Sequence, residues 1–238
     1  MWSKTFKHIK FFFLLFSAAI NAEYQITVLA TNISNFGGFG EWSFSALYES
    51  DNESILFDTG FHEDTVLHNA KVLNKDLSKV NKVVLSHFHS DHTGGLIKLR
   101  KTFKDINKDA FSKVYVARGF FDQRYKKDGT KEGPGNFDDS LEFKKVAEEE
   151  GIKFIILDDY KMVAKNIYAT GTVDRKIEYY NGPKGLYIDK EFKVPDIIKD
   201  DQSVGMLTDK GWIMMSGCGH SGIINTCLLY TSPSPRDQ

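Results

Sequence analysis

The chain has 238 residues and a formal net charge of −1. That balance gives no electrostatic footprint for nucleic acid or an anionic membrane surface. Of the two cysteines, Cys227 falls in the suspect tail over 227–238, which leaves Cys218 as the one credible native cysteine; no intramolecular disulfide is expected, and the fold must rest on its core and on any metal.

Residues 1–22 read as a secretory signal peptide. Lys4, Lys7 and Lys10 precede an apolar stretch over 11–20, and Ala22 closes it before Glu23. The stretch is shorter than the roughly 20 residues a spanning helix needs. A secreted or periplasmic protein is therefore expected, with no stable membrane association after cleavage; an uncleaved anchor is the alternative.

Residues 24–30 alternate as a first strand, and 35–40 form a glycine-laden loop. Strands over 43–48 and 55–57 flank an Asp-Asn turn and read as a hairpin. Val66, Leu67, Ala70 and Leu73 have helical spacing across 63–73. A short β-branched run over 82–86 reads as a buried strand, followed by a helix over about 93–103. A strand over 113–117 leads into the polar, Lys- and Gly-rich segment 124–139, a surface loop or active-site lid. A charged helix over 141–150 and strands over 153–157, 166–170 and 204–208 follow, with 211–216 as hairpin partner of the last. Residues 176–200 are weakly patterned and read as a long insertion near the mouth of the site. Interleaved strands and helices with several hairpins predict an α/β fold of two mixed sheets with helices outside. None of these features sets an oligomeric state.

The tail over 227–238 breaks off a segment heading into a helix and resembles the translation of a transposon-type sequencing adapter. On that reading the natural domain spans 23–226 and continues beyond, and the chain is a fragment; a natural Ser/Pro-rich tail is the alternative.

Residues 85–95 read Leu-Ser-His-Phe-His-Ser-Asp-His-Thr-Gly-Gly. His87 and His89 are two apart, so a locally extended backbone points both to one side. Asp91 and His92 lie past the bend and reach a second point nearby, with Gly94-Gly95 expected to turn the chain tightly behind them. Mixed nitrogen and oxygen donors suit Zn2+, one or two ions, with iron or manganese as alternatives.

The His-x-His-x-Asp-His pattern with Gly94-Gly95, after Asp58-Thr59-Gly60, resembles the metallo-β-lactamase superfamily. Phe44-Ser45-Ala46-Leu47, Asn69-Ala70, Asp201-Gln202-Ser203 and the run from Ser216 to Thr226 resemble the branch named after dihydropterin–ribofuranosylaminobenzene phosphate synthase. The resemblance implies a four-layer αββα sandwich, incomplete here at its C-terminus. It also implies that His87 and His89 hold one metal with a later histidine, while Asp91 and His92 hold a second. His220, in a glycine-rich turn after an apolar strand, is the candidate for that histidine; a capping or core role is the alternative.

The commoner superfamily pattern has Gly-His-Thr and then a bridging aspartate. Here Thr170-Gly171-Thr172 lacks the histidine, and Gly217-Cys218 stands where Gly-Asp is expected, so Cys218 is either a soft ligand or a small buried residue. Asp58 is expected to orient a ligand histidine through its far nitrogen, or else to be a plain turn residue. His62 and His68 are expected to face solvent.

The implied activity is metal-assisted hydrolysis of a small-molecule ester, lactone or phosphoester-type substrate, with Asp91 orienting the attacking hydroxide and taking up a proton as the tetrahedral or phosphorane centre collapses. The alternatives are a synthase of the named branch, for which Arg175 and Lys176 are the only hints of phosphate binding, and a non-catalytic metal-binding module.

Overall fold

The computed structural model describes residues 24–50, 53–180 and 182–231. The expected signal peptide and residues 232–238 of the expected adapter tail lie outside the described residues.

In chain order the elements begin with β1 (Gln25–Ala30), β2 (Ser45–Glu49), β3 (Ser54–Phe57), α1 (Thr65–Val72), β4 (Lys82–Val84), α2 (Ser90–Thr93) and α3 (Leu96–Phe103). They continue with β5 (Lys113–Ala117), β6 (Arg124–Lys126), β7 (Lys131–Glu132), α4 (Ser140–Glu149), β8 (Lys153–Leu157), β9 (Lys161–Ala164) and β10 (Ile167–Ala169). The last are β11 (Leu186–Tyr187), β12 (Ser203–Thr208), β13 (Gly211–Ser216) and α5 (Ile223–Thr231).

A six-stranded sheet runs β1-β2-β3-β4-β5-β8. Its first two pairings are antiparallel, and from β3 onwards the strands are parallel. Parallel strands are covered on both faces, so successive residues serve two cores. Leu47, Leu56, Val83, Val114 and Val116 join Val66 and Ala70 of α1, Leu96 and Leu99 of α3, and Phe143 and Ala147 of α4. Tyr48, Ile55, Phe57, Val84 and Tyr115 face the other way, onto Val163, Ile167, Ala169, Val204 and Met206. Those residues belong to a four-stranded sheet in the order β13-β12-β10-β9. Helix α5 covers this second sheet: Tyr230 packs 4.7 Å from the Trp212 ring and over Gly205, where a Cβ would have no room. The result is the four-layer αββα sandwich.

Four expectations are corrected. The second sheet is wholly antiparallel rather than mixed. It gains β9, half of whose residues are exposed and carry no apolar alternation. The helix expected over 93–103 is two helices, the first starting inside the histidine motif. Finally, 124–139 and 176–200 are not independent loops, because β6, β7 and β11 pair into a small third sheet. Helix α5 continues across residues 226 and 227, the junction at which the adapter-derived sequence was expected to begin. Among the described residues, no helix is long and apolar enough to cross a membrane.

The geometry that matters for chemistry is the shared edge. β3 and β4 end at Phe57 and Val84, which lie opposite each other, and β13 ends at Ser216 opposite the start of β12 at Ser203. Gln202 ties the two sheets together, donating from its backbone N–H to Ser86 O at 2.8 Å and from Nε2 to Leu85 O at 2.8 Å. Ligand-binding loops collect at such strand ends.

Candidate metal centre

Asp58 leaves β3 in the left-handed region, with φ of 57°, a conformation that aspartate tolerates better than most residues. This turns its fully buried carboxylate back under the histidine loop. Oδ1 accepts the Ser86 N–H at 2.6 Å, and Oδ2 lies 2.7 Å from His92 Nδ1. Ser86 Oγ lies 2.9 Å from His87 Nδ1. Both imidazoles therefore have Nδ1 held by protein and Nε2 turned toward the other donors, the arrangement by which outer partners fix a metal-binding histidine. His89 presents the other nitrogen: its Nδ1 faces His87 Nε2 at 2.8 Å. Helix α2 starts right after it, so Asp91 and His92 sit on one helical turn, with Asp91 Oδ2 3.4 Å from His92 Nε2.

Gly94 and Gly95 do not supply the tight turn expected of them. Both have ordinary helical backbone angles. They are needed because the chain at Thr59 to Phe61 runs against them, leaving no space for a Cβ on either. His92 O accepts from Thr59 N at 2.7 Å and Gly94 N donates to Gly60 O at 2.9 Å, which locks the two segments together.

The second contribution comes from the turn after β13. Gly217 packs on Ser86 and Asp58, and Gly219 has φ of 67°, so the chain can reverse between them. Cys218 Sγ lies 3.3 Å from His92 Nε2. The His220 ring stands 4.8 Å from the His87 ring and 5.2 Å from the His89 ring. Behind this turn, Asp201 accepts the Ser221 N–H at 2.8 Å, and Ser221 Oγ donates back to Asp201 O at 3.1 Å.

The donors fall into two groups, His87 with Cys218 and His220, and Asp91 with His92 and Cys218, each with its ligand atoms within 4.8 Å of one another. The fit to a metal can be tested on one atom: His220 Nε2 is buried and has no hydrogen-bond partner. A buried nitrogen aimed into a cluster of imidazoles is costly unless something there accepts or coordinates it. The donor set, nitrogen with sulfur and carboxylate oxygen, is that of zinc and its neighbours. The residues present fit a divalent ion.

Electrostatics support the same assignment. Burial, followed by the neighbouring imidazoles, holds His87 well below the usual histidine range and pushes His220 down to about 3, so both are neutral and ready to donate a lone pair. His92 goes the other way. Burial opposes its charging, but Asp58 outweighs that and raises its pKa well above the ordinary value. Burial alone would raise Asp91, yet hydrogen bonding to His92 and the charges of His92 and His89 keep it below the ordinary carboxylate range.

Of the five predicted donors, His87, Asp91, His92 and His220 fall in the two donor groups with Cys218, while His89 lies beside them, its ring 4.5 Å from that of His87, in neither group; Asp58 sits beneath. His62 is exposed as expected. His68 is not: it is half-buried, stacked on Phe39 at 3.8 Å with Nε2 2.8 Å from Gly37 O.

Sequence reasoning missed the support under the loop. Arg124 is 1% exposed, pairs with Asp196 at 2.9 Å and Asp200 at 2.7 Å, and lies 3.7 Å over the Phe88 ring. Asp200 also accepts the Phe88 N–H at 2.8 Å. Breaking one partner of such a buried pair costs on the order of 3–5 kcal/mol, so this anchor is a strong one. Nothing in a polar, Lys-rich run marks one arginine as buried, and its partners Asp196 and Asp200 lie more than 70 positions away. The small sheet that Arg124 belongs to borders a cavity of about 380 Å3, lined by His89, Lys126, Lys127, Glu132, Lys184 and Leu186 among others.

An αββα sandwich with a histidine-rich donor cluster at its strand ends defines a metallo-β-lactamase-type protein, and the comparisons agree: the chain belongs to the metallo-beta-lactamase superfamily, whose family pattern matches residues 43–108. It is 32% identical over 208 residues to an uncharacterised protein of Methanocaldococcus jannaschii, covering 84% of this chain and 72% of that one. It is 30% identical over 175 residues to 7,8-dihydropterin-6-methyl-4-(beta-D-ribofuranosyl)-aminobenzene-5'-phosphate synthase of the same organism, covering 72% of this chain. The match spans 57% of that synthase's length. Among solved structures, Tm1679, a metal-dependent hydrolase of the beta-lactamase superfamily, superposes with a TM-score of 0.67 at 26% identity, over 90% of this chain and 73% of that one.

Proposed function

We propose that the chain is a metal-dependent hydrolase, with zinc as the metal and a small ester, lactone or phosphoester as substrate. The observation that carries this reading is the convergence of two donor groups in which His87 and His92 are already oriented by Ser86 and Asp58. His87, His89 and His220 would hold one ion, and Asp91 and His92 a second. A bound divalent ion supplies Lewis acidity and brings the pKa of water toward neutrality. The protein's own part is positional. Asp91, kept ionised, accepts a hydrogen bond from the attacking water and takes its proton on a carboxylate oxygen as the new bond forms. The cavity beside His89, bordered by the small sheet of β6, β7 and β11, would receive the substrate. Export follows from the leader-like residues 1–22 and belongs to the same proposal.

The synthase relative supports a second reading, condensation rather than hydrolysis. Its phosphate sites would have to draw on Arg175, which is half-buried and donates to Ile198 O at 2.7 Å, and on Lys176, which is exposed and pairs with Asp174 at 3.7 Å. Lys176 is already paired and Arg175 is engaged through Nη2 with Nη1 left without a partner, so hydrolysis is the better-supported reading. Ester, lactone and phosphodiester probes should be tested against the zinc-loaded chain, with and without chelator and beside Asp91→Asn. Turnover abolished by chelator and by the variant supports the proposal. Turnover of a pterin pyrophosphate with an aminobenzene riboside phosphate, and of none of the hydrolytic probes, favours the synthase.

A further inference from the structure

We propose that Cys218 is a bridging ligand, its thiolate shared between two metal ions. The inference rests on the metal-centre reading and extends it to how the two halves of the site are joined. Among the described residues, Cys218 is the one that belongs to both donor groups, with His87 and His220 on one side and with Asp91 and His92 on the other.

The distances suit coordination. Bonds of about 2.0–2.3 Å around a tetrahedral zinc place neighbouring ligand atoms roughly 3.3–3.7 Å apart. Cys218 Sγ to His92 Nε2 is 3.3 Å, and Asp91 Oδ2 to the same nitrogen is 3.4 Å. Charge gives an independent reason. The cluster's imidazoles are neutral ligands when they coordinate, and Asp58 is engaged by His92 and Ser86, which leaves Asp91 as the one carboxylate in the donor groups. A second anion beside two close divalent ions offsets their repulsion, and a coordinating thiol is deprotonated outright and can supply that charge.

The backbone fixes the sulfur there. Gly217 is pressed on Ser86 and Asp58 with no room for a side chain, and Gly219 turns the chain away in the left-handed region. His220, two residues on, belongs to the same donor group, and its Nε2 is buried without a hydrogen-bond partner. A thiolate in this place makes the centre softer than an all-oxygen-and-nitrogen one, favouring zinc or iron over manganese or magnesium. It also leaves an exposed sulfur at the heart of the site, open to oxidation when no metal covers it.

Cobalt(II) loading tests this without any assay of turnover. The wild-type chain, Cys218→Ser, Cys218→Asp and Cys227→Ser would each be titrated with cobalt, following near-ultraviolet absorption, bound metal per chain and magnetic coupling by electron paramagnetic resonance. The bridge predicts a thiolate-to-cobalt charge-transfer band and coupled ions in wild type and Cys227→Ser. Cys218→Ser should lose the band and weaken the second equivalent by about 10–100-fold, while Cys218→Asp should lose the band but keep both equivalents. Two tightly bound ions with no charge-transfer band would overturn the bridge and leave the metal centre standing. A band with uncoupled ions would reduce Cys218 to a ligand of one ion and also overturn it. Failure of the wild type to bind cobalt would overturn the metal reading itself. Circular dichroism of the metal-free variants separates each result from misfolding.

Discussion

The donors at 87–92 and those at 218–220 meet in one site, but the protein holds them differently. On the histidine loop, His87 and His92 are buried, each Nδ1 has a fixed partner, Thr59 and Gly60 bond the chain behind, and Arg124 with Asp200 braces Phe88 between the ligands. On the Cys-Gly-His turn, Cys218 is exposed, His220 Nε2 has no partner, and support comes from Asp201 and the contact of Gly217 with Ser86. One side is pre-organised through its ring nitrogens, and the other is held through its backbone, by Asp201 and the Gly217 contact. Metal affinity should therefore rest mainly on the loop, and adjustment to substrate mainly on the turn.

The largest expected effect comes from chemistry that only the loop performs. Asp91→Asn should lower turnover by about 10²–10⁴-fold while the fold stays intact. Turnover near wild type, with metal content unchanged, would move the proton-accepting role to another group. Next comes the contact between the two regions. Gly217→Ala forces a Cβ into Ser86, and urea unfolding should show a loss of about 1–3 kcal/mol. An unchanged midpoint would mean the turn shifts freely even where it touches the loop.

Asp58→Asn addresses the loop's pre-organisation directly. Competition against a chelator should show metal affinity reduced by about 10–100-fold, with the fold preserved. The pH dependence sharpens this. In the metal-free protein Asp58 raises the His92 pKa, so binding must displace a proton, and affinity should fall by roughly tenfold per unit as pH drops below that raised value. The stabilisation from this pairing has the opposite sense: it is complete below the unfolded histidine's pKa and lost as pH rises through the folded one. Asp58→Asn should flatten both slopes near neutrality, and persistence of the affinity slope would assign the proton elsewhere. The smallest effect is expected at Asp201→Asn, whose amide oxygen can still accept the Ser221 N–H. A change of a few-fold in KM, with kcat and metal content held, would mark the turn as the adjustable side.

The same contrast governs how much could be read from the sequence. The loop's chemistry is local: His87, His89, Asp91 and His92 fall within six positions, and the strand before them announces where they project. Asp58 was legible as an orienting group because it ends a strand beside the motif. Gly94 and Gly95 were noticed for the wrong reason, since a close approach by another segment leaves no local trace. Arg124 and the small sheet were illegible for a related cause. Strands of two or three residues owe their existence to partners some 60 positions away, and burial of an arginine depends on two aspartates that lie still further along the chain. His68 was misplaced because its neighbour Phe39 arrives from the glycine loop rather than from its own helix.

The two glycines pressed against Thr59 to Phe61 have a practical consequence for anyone rebuilding this centre elsewhere. The portable unit is not the histidine motif alone. It is that motif together with the corner around Asp58, whose carboxylate grips Ser86 across 28 positions of chain. Grafted without that corner, the histidines would arrive in the right order and face the wrong way.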